Sequence, residues 1–192
     1  MDNRNLLKGT MVYSLSNVVT KLGSLIFLPI ITRLLTKEEF GIVGTLGPVA
    51  TLFGVILGLG LYNAQMKKYI DLKDDEKELG SYMFSTALIV IFFNIAMYIF
   101  LFTPLSRKLF SYVIDLDVVS YNPLILITIV IASVNALNTL ATTLFRMKKM
   151  YMKVAVGSLI SVFTTYILII FFVKSLKMSV LGYQSANLIA II

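Results

Sequence analysis

Five stretches of this chain each run for twenty or more residues with scarcely a charge, near 11–33, 41–64, 82–103, 121–145 and 154–173. An apolar helix needs roughly 20 residues to cross about 30 Å of hydrocarbon, so each stretch is long enough to span a membrane. A sixth, 178–192, has 15 residues and reaches only about 22 Å at 1.5 Å per residue. It ends in NLIAII with no polar flank, which reads as a span cut short and the chain as a fragment of a longer polypeptide. The expected fold is all-α, a polytopic membrane helix bundle of about six transmembrane helices, with residues 1–192 as a single transmembrane lobe.

Composition agrees with a bilayer as solvent. Hydrophobic residues make up 58% and charged residues 14%, against about 25% charged in soluble domains. The chain has no Cys, His or Trp. Disulfides, Cys or His metal sites, and histidine-assisted nucleophilic catalysis are therefore excluded, and no catalytic or metal-binding residue is assigned. The net charge of +7 in so apolar a chain points to a membrane face or an anionic ligand, not to nucleic acid.

The distribution of Lys and Arg sets the orientation. The N-terminus (Arg4, Lys8), the second connection (Lys67, Lys68, Lys73, Lys77) and the fourth (Arg146, Lys148, Lys149, Lys153) hold ten basic residues. The opposite connections (Arg33, Lys37, Arg107, Lys108, Lys174, Lys177) hold six, which places the N-terminus in the cytoplasm. The first stretch is too long for a signal-peptide core and lacks a small-residue cleavage site, so it stays as the first span. In the long external link 104–122, Leu105, Leu109, Phe110, Val113 and Leu116 suit a short helix lying in the interface.

Polar residues inside a span should share a face that looks into a bundle or a wet cavity, because exposing them to hydrocarbon is costly. Ser14, Asn17, Lys21 and Ser24 do so on the first helix, at 3, 4, 3 spacing. Lys21 lies near mid-span, where a charge costs about 2.5–3.5 kcal/mol on the lenient insertion scale, so it calls for water, a partner or an anion. The fourth helix carries Asn135, Asn138, Thr139, Thr142 and Arg146; the amides suit interhelical bonds and cavity lining equally, and Arg146 reads first as a cytoplasmic anchor. Gly44, Gly47, Thr51, Gly54 and Gly58 give the second helix a smooth face fit for close packing. All ten carboxylates fall outside the apolar cores, so a cavity between these helices would prefer an anion, and phosphate suits a lysine.

The run NVVTKLGSLIFLPIITRLLTKEEFG at 17–41 resembles the first-helix signature of polysaccharide repeat-unit flippases. TLFRMKKMYMKVAVGSLISVF at 143–163 resembles their junction of helices four and five, and MSVLGYQSANLIAII the start of their sixth helix. These proteins form the oligosaccharide-lipid branch of the multidrug/oligosaccharidyl-lipid/polysaccharide exporter superfamily. The resemblance implies an N-terminal lobe of a two-lobed exporter around a central cavity. The function it implies is alternating-access export of undecaprenyl-diphosphate-linked oligosaccharide across the cytoplasmic membrane, without covalent chemistry. Substrate contacts would fall to Lys21, Asn17 and Arg33, with Asn135 and Asn138 offering hydrogen bonds to sugar or phosphate. Partners would be the lipid-linked oligosaccharide, membrane lipids and a C-terminal lobe or second chain. No cofactor is called for, and a coupling ion, H⁺ or Na⁺, is left open. The alternatives are a multidrug/cation antiporter of the same superfamily, disfavoured by the missing intramembrane acid, and a truncated, non-transporting membrane fragment.

Overall fold

The computed structural model describes residues 3–112, 114–116 and 118–191, with side chains from Met11 onward except Tyr13. The side chains of Arg4 and Lys8, counted above for orientation, and Asp2, Val113 and Asp117 lie outside the described residues. Every regular element among the described residues is helical: α1 Asn3–Leu34, α2 Lys37–Leu57, α3 Leu61–Leu72, α4 Glu76–Leu101, α5 Pro104–Ser111, α6 Leu126–Met147, α7 Tyr151–Ile169 and α8 Ser179–Ile191. Among the described residues, five segments are long and apolar enough to cross a membrane: Ser14–Leu34, Lys37–Leu57, Glu76–Leu101, Tyr121–Met147 and Tyr151–Ser175. The expected all-α, multi-pass architecture is therefore present.

The second span differs from the expected 41–64. It starts earlier because Thr36 and Glu39 form a capping box: Thr36 N–H donates to the Glu39 carboxylate at 2.8 Å, and Glu39 N–H to Thr36 Oγ1 at 3.2 Å. It ends earlier because Leu59 and Gly60 take left-handed conformations (φ 51 and 63), which interrupts the helix before α3 resumes. The uniform apolarity of Gly58-Leu59-Gly60 conceals this turn from a hydropathy reading.

Two compact units are present. The first consists of the described residues of Met1–Phe40 and Thr142–Ile192. Within it α1 and α7 run parallel in a steady register. A Cβ on Gly23 would lie 3.8 Å from Val162, and one turn further Phe27 stacks on Tyr166 with ring centroids 4.2 Å apart. Helix α8 turns back along α7, Ser161 Oγ donating to the Ala190 carbonyl at 2.7 Å. The Ser179 hydroxyl at the start of α8 donates to the Glu39 carboxylate, tying α8 to the first turn of α2.

The second unit, Gly41–Ala141, is built on α6. Gly54 of α2 approaches the Ala132 carbonyl, Gly58 approaches Ala136, and Tyr98 of α4 donates to Ser133 at 2.7 Å. Only these two glycines of the expected smooth face meet a neighbour, since a Cβ on Gly44 or Gly47 would touch nothing within 4 Å. On α4, Thr86, Val90 and Asn94 are buried on one face at i, i+4, i+8 spacing. Asn94 Nδ2 donates to the Leu57 carbonyl at 3.3 Å and to the Val90 carbonyl at 2.6 Å. Helix α5 forms where an interfacial helix was expected, but its apolar residues divide. Phe110 turns inward with Ser106 and packs on Phe53 and Tyr121, while Leu105 and Leu109 stay exposed.

Candidate functional site

On α1 the residues that face α7 are Ser16, Gly23 and Phe27, with Ile31 buried on the same side. At 100° per residue, Ser14, Asn17, Lys21 and Ser24 lie roughly a quarter-turn round from that face. The expected polar stripe is thus beside the packed seam and not in it, and all four residues are exposed. The opposite flank carries Val18, Leu22, Leu25 and Ile26, exposed as expected of lipid-facing residues.

Where α1 begins its span, α6 ends and α7 starts, six residues of the first unit enclose a cleft of about 310 Å³: Ser16, Asn17, Arg146, Val154, Ala155 and Ser158. Ser16 is 7% exposed. Ser158 Oγ donates to the Val154 carbonyl at 2.9 Å, a local bond that a rotating hydroxyl can exchange for a ligand. The positive end of the α7 macrodipole lies here too, because the helix begins at Tyr151.

The second unit holds a separate cleft of about 340 Å³ between α2 and α6. Its floor is Gly54, Gly58 and Gly60, and its polar groups are Thr51, Tyr62, Asn135 and Thr139.

Of the five residues singled out from sequence, Asn17 lies in the first cleft and Asn135 in the second. Lys21 is exposed one turn beyond Asn17 and makes no ion pair among the described residues. Arg33, in the last turn of α1, and Asn138, which has an interaction partner, are also exposed and line neither cleft. Arg146, read from the sequence first as a cytoplasmic anchor, lines the first cleft as well. Its signal was the Asn135–Thr139–Thr142–Arg146 stripe, which carries the polar face of α6 to the helix end.

Charge separates sharply between the units. The first contains eleven Lys and Arg against three Asp and Glu, and the second six against seven, giving +8 and −1. No acid occurs between Asn3 and Lys37, or from Val118 onward. Glu38 and Glu39 follow the far end of α1, about 27 Å along the helix from Ser16. At an effective dielectric of 20, opposite charges attract by about 4 kcal/mol at 4 Å and by about 0.6 kcal/mol at 27 Å, before screening. Those carboxylates therefore offset little of the positive potential at Arg146.

These features describe a membrane protein with a cationic, hydroxyl-bearing recess at one end of a helix pair. A family model described as polysaccharide biosynthesis protein matches residues 6–192. The chain belongs to that family. Neither the curated proteins nor the solved structures gave a match. As a polysaccharide biosynthesis protein it has a role in polysaccharide synthesis or export, and its helices make it a multi-pass, transporter-like membrane protein. In this polysaccharide biosynthesis protein the net positive charge belongs wholly to the unit that holds Arg146.

Proposed function

We propose that this protein exports undecaprenyl-diphosphate-linked oligosaccharide across the cytoplasmic membrane by alternating access, its helices forming one lobe of a two-lobed carrier. The observation that carries the reading is the charge of the first unit, +8, with no carboxylate among the residues lining its cleft, in a family devoted to polysaccharide. Polysaccharide precursors built on a polyprenyl diphosphate bring an anion into the membrane, and such an anion is what a recess of this charge attracts. Lys21 and Arg33 neutralise the diphosphate in this scheme, while Asn17, Asn135 and Asn138 hydrogen-bond to sugar or phosphate. The polyprenyl chain stays in lipid. No covalent bond changes, so the reading is transport and not catalysis. The basic connections orient the N-terminus, and with it the Arg146 cleft, toward the cytoplasm.

The test is made in cells. Deleting the gene should abolish surface polysaccharide while lipid-linked repeat units accumulate on the cytoplasmic side; unchanged surface polysaccharide overturns the reading. Lys21→Ala at normal protein level should lower export and Lys21→Arg should restore most of it. Wild-type export by the Ala variant removes Lys21 from the scheme.

A further inference from the structure

We propose that the cleft of Ser16, Asn17, Arg146 and Ser158 is a binding site for a phosphate or diphosphate ester, with Arg146 as its principal ligand. The inference rests on the reading above only for the source of that phosphate.

The polar side chains lining the cleft match this anion. Arginine presents planar N–H donors that pair two at a time with phosphate oxygens. The serine hydroxyls and the asparagine amide add donors from α1 and α7, and none of the six lining residues is a carboxylate that would repel the ligand. Val154 and Ala155 lie in the first turns of α7, so backbone dipoles reinforce the side chains.

Size sharpens the assignment. At about 310 Å³ the cleft sits at the lower end of the range for small-ligand sites, about 300–1,000 Å³. It suits a phosphorylated head and not an oligosaccharide with its lipid. The two helices that build most of it, α1 and α7, are held in register by the Phe27–Tyr166 stack and the Gly23–Val162 approach, so the backbone that carries the donors is set before a ligand arrives. Arg146 comes from a third element, the end of α6, and closes the recess.

Phosphate could reach the site on a membrane lipid or free in solution. Two probes separate these sources: inorganic pyrophosphate added to the full-length protein in neutral detergent, and phosphatidylcholine nanodiscs with or without phosphatidylglycerol. Pyrophosphate should raise the melting temperature of the wild type. Arg146→Gln should weaken pyrophosphate binding tenfold or more, Arg146→Lys less, and Ser158→Ala a few-fold. Lys148→Gln removes the same charge two residues away, outside the cleft, and should change binding less than threefold. An unliganded melting temperature near wild type in Arg146→Lys keeps the comparison free of misfolding. Should phosphatidylglycerol, and not pyrophosphate, stabilise the wild type in an Arg146-dependent way, the site is assigned to lipid-borne phosphate.

Equal losses in Arg146→Gln and Lys148→Gln would overturn the proposal, since they would show a diffuse field in place of a site. A wild type indifferent to both probes would also overturn it, while leaving the export reading untouched. Conversely, Arg146-dependent binding stands even if deletion of the gene leaves surface polysaccharide unchanged.

Discussion

Asn94 Nδ2 donates to the carbonyl of Leu57, the last residue of α2, where the helix breaks and leaves that carbonyl without its usual partner four residues on. Leu61 N–H, which would have bonded to it in an unbroken helix, donates to Gly58 instead. The one asparagine in the middle of α4 is thus accounted for by a defect in its neighbour. Replacing Asn94 by Leu keeps the branched shape and removes the donor. It should destabilise the protein by about 1–2 kcal/mol, read as a lower midpoint in mixed-micelle unfolding. A midpoint equal to or above wild type would remove the role assigned to this bond.

Glycines of this chain fall into two classes that alanine should separate. A Cβ on Gly182 would lie 2.9 Å from Met178 Cβ and 3.2 Å from the Phe172 backbone carbon, so Gly182→Ala should cost about 1–3 kcal/mol. On Gly44 it would meet nothing, and Gly44→Ala in the helix interior should gain about 0.5–1 kcal/mol. Melting temperatures of the two variants should therefore move in opposite directions.

The capping box at the start of α2 is reciprocal, each residue donating to the other. Thr36→Ala should lose about 1 kcal/mol. Adding Glu39→Ala should cost less than the two single losses together, because either change alone breaks the box. Full additivity in a double-mutant cycle would show that the two bonds act separately.

The Phe27–Tyr166 stack, with rings inclined by 7°, joins α1 to α7. A cycle of Phe27→Leu and Tyr166→Leu should give a coupling of about 0.5–1.5 kcal/mol. No coupling would mean that the helices are held by area alone.

Much of this architecture is legible in the residues because the bilayer imposes one length on every span. The five long helices, the lipid flank of α1 and the short α5 all follow from apolar spacing. The break after Leu57 does not, because Gly58-Leu59-Gly60 is as apolar as the helix around it, and a turn through left-handed φ leaves no mark on hydropathy. The glycine face was half legible: Gly54 and Gly58 pack as their spacing suggests, whereas Gly44 and Gly47 have no neighbour to approach. Arg146 was hidden for another reason. A basic residue at a helix end serves equally as an anchor or a ligand, and only the arrival of α1, distant in sequence, beside the turn into α7 gives it a cleft to line. The charge division does not show along the chain because the first unit is made from both ends of it.

That division makes the two units chemically addressable. Seven of the ten carboxylates lie between Asp71 and Asp117, and none follows Asp117, whereas lysines occur in both units. A carbodiimide probe will therefore report mainly on the second unit, while an amine-reactive probe reports on both. The ratio of the two labels becomes a built-in differential signal, able to show one unit changing its exposure while the other stays still.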